Sequence, residues 1–324
     1  MSKKYSYSDL PVKVPVEAYD EAKKRFVAYF AGVSGLTSIY SFGSVSDPGI
    51  SDIDLLLVFE DEMMCKTDFR RQMSAEDRYL FIHAPYATGK SLLFEGQRFT
   101  FFRPFHLVHG DDVFFGMNFK EADPLVRHQV ALEYLLRLYF SLQMQNAYRL
   151  LRVRSILLNA KGSFIDILHL APSDLQALSL NGQLRQLRTE WFAGKKPPLN
   201  DFTLWFESFF TWFTSFLEEQ MRRGVMYLPQ DRIYTIARNL TFSKSTSLAI
   251  DAKVTRMALL KPVLGRKYFN FLNRLSSFHV TLPFQNENIP EPLSAYFNYN
   301  TRQRTHNRLH LPHCLPFTNS LHLK

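Results

Sequence analysis

The residues best suited to chemistry are a Gly-Ser step and, after a loop, two aspartates one residue apart. Phe42-Gly43-Ser44 closes one apolar stretch and Asp52-Ile53-Asp54-Leu55 opens the next. Residues i and i+2 of a strand share a face, so Asp52 and Asp54 aim two carboxylates at one point while Ile53 and Leu55 face a core. Carboxylates that close repel each other unless a cation lies between them, and a hard divalent ion with oxygen ligands, Mg²⁺ above all, fits that need. Gly43 lets the main chain approach a phosphate closely, and Ser44 offers its hydroxyl and N–H as donors.

Flanking elements must hold these groups in place. Val16 to Ala31 carries apolar residues near a 3.6 spacing, which predicts a helix that Gly32 and Gly35 end. Leu36–Phe42 predicts one strand, and Ile53–Phe59, a nearly continuous apolar run, predicts another buried on both faces. GSVSDPGIS between them is turn chemistry. Asp68–Glu76 reads as a short helix, and Tyr79–His83, Leu92–Phe94 and Arg98–Val108 as further strands, with Gly96 turning a hairpin. Beyond Asp123 the pattern turns helical: Leu125–Met144, Tyr148–Leu158, Leu175–Phe192, Asp201–Arg223, Leu248–Leu260 and Tyr268–Phe278. Asp201–Arg223, capped by Asn200 and Gly224, bears so many Phe and Trp residues that it reads as the central helix of its domain. From Leu282 the chain is rich in Pro, Asn and His and reads as irregular.

The Gly43-Ser44 step, the loop and the Asp52-Ile53-Asp54-Leu55 strand resemble the signature of the DNA polymerase β-type nucleotidyltransferase superfamily, over roughly residues 16–108. That resemblance implies an α+β architecture. A small mixed β-sheet nucleotidyltransferase domain with flanking helices (1–118) precedes an all-α helical domain for acceptor selection (119–281) and an irregular tail (282–324). It implies Mg²⁺-dependent transfer of a nucleoside monophosphate, most readily AMP from ATP or else from another NTP, to an unidentified acceptor. Two metal ions, with Mn²⁺ as the alternative metal, are shared by Asp52 and Asp54, while Gly43 and Ser44 hold the β/γ-phosphates. The acceptor is RNA, a small molecule such as an aminoglycoside, or a protein side chain. The sequence departs from the family pattern in two ways. Its loop holds seven residues between Ser44 and Asp52, and the family's third carboxylate has no counterpart in register, where Thr100 or His106 stands. Glu95, Asp111 and Asp112 are the acids that could replace it. The alternative reading is a catalytically degenerate protein that binds nucleotide or nucleic acid in a regulatory or scaffolding role.

Other groupings carry weaker signals. Ala84-Pro-Tyr-Ala-Thr-Gly89-Lys90-Ser91 echoes a phosphate-binding loop, but Ala84 replaces its first glycine. His306, His310, His313 and Cys314 contain metal-ligand types, although Pro312 breaks the run. The chain's 39 basic and 30 acidic residues divide unevenly, with a net of −3 in residues 1–118 and +12 in 119–324. An anionic partner, nucleic acid or a triphosphate, therefore suits the second half, through Arg149, Arg152, Arg154, Arg222, Arg223, Lys261, Arg266 and Lys267. With 46% hydrophobic residues the chain can bury a core, which excludes a disordered class. Two cysteines are too few for a disulfide framework, and neither a signal peptide nor an apolar run of membrane-spanning length is evident, so the expected location is cytoplasmic, without a membrane partner.

Overall fold

The computed structural model describes residues 5–100, 104–117, 121–229 and 234–318. The protein is α+β and divides into two compact units. Among the described residues, one combines Val12–Arg127 with the chain from Pro290 to Thr318, and the other combines the residues up to Pro11 with His128–Ile289. The boundary expected at residue 118 lies outside the described residues, and the described part of the chain from Pro290 to Thr318 belongs with the first unit.

Elements are numbered along the chain from β1 (Ser6–Ser8) and α1 (Val16–Phe30). In the first unit α1 is followed by β2 (Leu36–Phe42), β3 (Asp54–Phe59), α2 (Phe69–Gln72), α3 (Ala75–Leu80), β4 (Tyr86–Gly89), α4 (Lys90–Gly96) and β5 (His106–Gly110). These strands and β11 (Leu315–Pro316) form one mixed sheet in the order β11-β4-β3-β2-β5. β2 runs antiparallel to β3 and β5, while β4 lies parallel to β3 and β11. The apolar run of β3 is buried on both faces: Leu55, Leu57 and Phe59 join Ile53 in a core with Tyr19, Ala22, Phe26 and Phe30 of α1, and Leu56 and Val58 join Tyr40, Phe42, Leu93 and Phe317 on the other side. Phe26 centres the first core, stacking on Phe30 at 4.6 Å and on Phe81 at 5.4 Å and meeting Phe69 edge-on at 4.3 Å.

Three local expectations are overturned. Tyr79–His83 is not a strand: α3 occupies Ala75–Leu80, started by Ser74, whose hydroxyl accepts from the Asp77 N–H. The described part of the hairpin expected over Leu92–Phe102 is instead α4 and a 3₁₀ turn at Gln97–Phe99, and Phe101 and Phe102 lie outside the described residues. Gly96 is needed there for close approach rather than for a turn, because a Cβ at this position would collide with the Tyr299 hydroxyl. The tail is not irregular, for Glu291–His310 is a 20-residue helix and β11 follows it. Its buried side, Leu293, Tyr296, Tyr299, Gln303 and Asn307, mixes apolar and polar groups. Asn307 is the clamp: its side-chain amide donates to the carbonyls of Ala87 on β4 (2.9 Å) and Leu315 on β11 (3.1 Å).

The second unit contains α5 (Pro124–Tyr148) from His128 onward, β6 (Leu150–Arg152), α6 (Val153–Leu170), α7 (Leu175–Glu190) and α8 (Leu199–Arg223). On α8 Phe202, Phe206, Phe209 and Phe213 are fully buried, and Trp205 donates to the Leu180 carbonyl of α7 at 3.1 Å. Its N-cap is Pro198 rather than Asn200, and its C-cap is Gly224. Within this region, where the sequence pattern predicts helices alone, lies a four-stranded sheet. β7 (Tyr234–Ala237), β8 (Leu240–Lys244), β9 (Ala249–Lys253) and β10 (Ser277–Leu282) order as β7-β8-β10-β9, with short α9 (Lys261–Leu264) and α10 (Tyr268–Leu275) before β10; the Glu291–His310 helix is α11. Leu248–Leu260 was the expected helix there, and its mostly exposed strand β9 gives no burial alternation to betray it.

Charge follows the units more sharply than the sequence halves. The first unit holds 16 basic and 18 acidic residues and the second 23 and 12. Several of the second unit's arginines serve structure. Arg149 donates to Asn146 Oδ1 and the Tyr5 hydroxyl, Arg152 sits 3.8 Å from Asp9, and Arg154 is buried. These contacts hold β1 against β6, its parallel partner. Arg223 pairs with Glu219 one helical turn back, and the Arg266 side chain lies outside the described residues. Among the described residues no helix is long and apolar enough to cross a membrane.

Candidate metal centre

Asp52, Asp54 and the unanticipated His83 converge: one ligand atom from each lies within 4.8 Å of the others. Among the described residues this is the group able to hold a metal, and Glu95, Asp111, Asp112 and His106 are outside it. Glu95 pairs with Arg302, and the Asp112 carboxylate accepts from the Tyr40 hydroxyl at 2.9 Å and the Phe114 N–H at 3.1 Å. His106 is an exposed residue of β5 opposite Ser41. The third position beside the aspartates is thus filled by an imidazole.

Local structure explains the convergence. Phe42 and Asp54 are register partners at the same end of the β2/β3 pair, so the turn after β2 begins beside Asp54. Gly43 has φ +74°, a left-handed conformation that favours glycine, and a Cβ there would stand 3.4 Å from Asp54 Oδ2. Ser44 follows, exposed. The loop onward to Asp52 is braced from beneath. The Tyr19 hydroxyl donates to the Ser51 carbonyl and accepts from the Gly49 N–H, both at 2.9 Å, and the Tyr79 hydroxyl donates to the Gly49 carbonyl. The Ile53 N–H donates to the Leu80 carbonyl at 3.0 Å, which ties the aspartate segment to the end of α3. His83 lies three residues past that tie, in the turn before β4.

Tyr19→Phe removes the shared hydroxyl and leaves the buried Gly49 N–H without its acceptor. A loss of about 1–3 kcal/mol is expected, read as a lower denaturant midpoint at unchanged slope. A midpoint within experimental error of the parent would contradict the bracing role.

His83 is oriented at both nitrogens. Nδ1 lies 2.7 Å from the Ala84 carbonyl, which only accepts, so Nδ1 carries a proton. Nε2 faces the aspartates, 3.0 Å from Asp54 Oδ1 and 3.8 Å from Asp52 Oδ2. Burial opposes the imidazolium, but the Asp54 hydrogen bond and charge, the Ala84 carbonyl and the Asp52 charge outweigh it and hold the pKa above its ordinary value. The ring also meets Tyr86 edge-on at 5.1 Å. Protonated, Nε2 donates to Asp54; deprotonated, it presents a lone pair to a cation at that place. Two carboxylates and such a nitrogen fit a divalent ion.

The two weaker groupings are explained otherwise. The segment after Ala84 does run from strand β4 into helix α4, but Asp61 already occupies the start of that helix, accepting from the Ser91 N–H at 2.8 Å and from its hydroxyl. Lys90 lies 3.8 Å from Glu60. His306 and His310 stack at 4.7 Å on α11, with His306 Nε2 2.9 Å from the Asp61 carbonyl, and His313 lies 3.8 Å from Asp68. Cys65 and Cys314 are free thiols, and burial, with the Cys65 charge adding to it, pushes Cys314 up to about 12.

No protein-family model matches the sequence, and no curated protein matches it. A solved structure of a nucleotidyltransferase-like protein from Exiguobacterium sibiricum 255-15 is similar at 13% identity over 67% of this chain and 82% of that one, with a TM-score of 0.23. So low a score carries no argument about fold or activity.

Proposed function

We propose that the unit formed by 12–127 and 290–319 is a divalent-metal-dependent nucleotidyltransferase. It moves a nucleoside monophosphate, most readily AMP from ATP, to an acceptor hydroxyl, and pyrophosphate leaves. One observation carries this reading: the Gly43-Ser44 turn and the Asp52–Asp54–His83 group meet at one end of the β2/β3 pair, through the Phe42–Asp54 register partners. A phosphate cradle beside cation ligands is what phosphoryl transfer needs, since its catalysis is mostly positioning and charge stabilisation. Asp52, Asp54 and His83 would hold the cation, with Mg²⁺ or Mn²⁺ as the ions to be tried. When bound, it supplies charge to the transferring phosphoryl group. Gly43 and Ser44 would hold the β/γ-phosphates through main-chain N–H groups and the serine hydroxyl. RNA, a small molecule or a protein side chain is the acceptor, and the strongly basic second unit favours an anionic one.

A second reading has a specific basis: His83, not a carboxylate, completes the group. In that reading the protein binds nucleotide and cation without transferring, and acts as a regulator or scaffold. ATP labelled at the α-phosphate, incubated with the protein, Mg²⁺ or Mn²⁺ and extracts of RNA, protein and small molecules, separates the two. Transfer predicts label on one acceptor class from α-labelled ATP and none from γ-labelled ATP. Nucleotide binding without label transfer would leave the regulatory reading in place.

A further inference from the structure

We infer that the Asp52–Asp54–His83 centre holds a single first-row transition dication and selects Mn²⁺ over Mg²⁺. The inference rests on the reading above only in placing a cation among these three side chains.

Donor chemistry is the first argument. Mg²⁺ takes oxygen ligands in near-ideal octahedral geometry, whereas imidazole suits first-row transition ions. His83 presents nitrogen where a third oxygen would otherwise stand.

Orientation of the ring adds to the donor chemistry. A metal-ligating histidine usually gives its other ring N–H to a carbonyl or carboxylate, which fixes the ring and raises its basicity. The Ala84 carbonyl at 2.7 Å does this for Nδ1, and Tyr86 packs against the ring edge. Nε2 is therefore held towards the aspartates rather than left to turn.

Geometry and charge point the same way. Ligands about 2.1 Å from a shared ion stand about 3 Å apart at neighbouring octahedral positions. The His83–Asp54 pair is at 3.0 Å, the His83–Asp52 pair at 3.8 Å and all three ligand atoms lie within 4.8 Å of one another, so contraction of the group around one ion gives that spacing. Two carboxylates with a neutral imidazole balance one dication, where three carboxylates would over-compensate it. Mn²⁺ is the weakest binder of the first-row series, so its preference over Mg²⁺ is the most demanding form of the claim.

Calorimetric titration of the full chain with Mn²⁺ and with Mg²⁺ tests it. Mn²⁺ is expected to bind at one-to-one stoichiometry and at least about tenfold more tightly than Mg²⁺. In His83→Asp the third carboxylate should shrink that ratio to below about threefold by strengthening Mg²⁺. Pulsed electron paramagnetic resonance of the Mn²⁺-loaded parent adds a readout that needs no variant: coupling to an imidazole nitrogen is expected. Equal affinity for the two ions, or Mn²⁺ bound without nitrogen coupling, overturns the inference and leaves the metal-dependent reading standing. Binding of neither ion overturns both.

Discussion

Asp52→Asn/Asp54→Asn is expected to lose divalent-cation binding by at least about a hundredfold, because replacing even the outer partners of metal ligands costs ten- to a hundredfold. Each substitution exchanges an anionic ligand for a neutral amide, so the centre drops from two formal negative charges to none and keeps only neutral donors beside the His83 nitrogen. The fold is expected to survive. Both side chains sit at the open end of β3 rather than in either core, and Ile53, Leu55 and Leu57 are untouched. Titration with Mn²⁺ beside a thermal melt separates the two effects. A double variant that melts like the parent but binds no cation supports the assignment, and one that binds the ion as the parent does removes Asp52 and Asp54 from the centre.

Truncation after Ile289 is expected to unfold the first unit. The cut removes α11 and β11, although the composition of 282–324 suggests a dispensable tail whose loss spares the site. Leu293, Tyr296, Tyr299, Leu311 and Phe317 are all essentially fully buried. Losing side chains worth about 1.5–3 kcal/mol each on burial consumes most of a domain's usual 5–15 kcal/mol. Polar ties go as well: the Tyr299 hydroxyl no longer donates to the Leu92 carbonyl, and the Asn307 clamp on β4 disappears. Scanning calorimetry should show the truncated chain missing one cooperative transition, together with cation binding. Retention of both would mean that α11 is an appendage after all.

What the sequence carried legibly was the half of the centre that has a short-range pattern. Asp52 and Asp54 are two residues apart on one chain, and strand alternation alone pairs them. Gly43 was readable because a positive φ after a strand leaves few choices of residue. His83 had no such signature. It arrives through the Ile53–Leu80 hydrogen bond and the parallel pairing of β4 with β3, both of which join distant residues. The tail helix was hidden for a related reason. It packs through tyrosines and through Gln303 and Asn307, so its buried side has no apolar stripe at helical spacing. Gly96 misled in the opposite direction, since a glycine that admits the Tyr299 hydroxyl looks the same in sequence as one that turns a hairpin.

The charge division has a physical shape in these terms. The near-neutral unit carries the carboxylates that attract a cation, and the basic unit uses part of its charge, at Arg149 and Arg152, to secure β1 and β6. The arginines expected to meet an anionic acceptor are in this sense partly committed to the fold, which leaves the exposed Arg222 and Lys267 as the better variants for a salt-dependence experiment.

The most direct measurement is a crystal of the full chain soaked in Mn²⁺, with diffraction collected at the manganese absorption edge. One strong anomalous peak is expected within bonding distance of an Asp52 oxygen, an Asp54 oxygen and His83 Nε2. A peak elsewhere on the molecule, or none beside these three side chains at a Mn²⁺ concentration that saturates binding in solution, would contradict it.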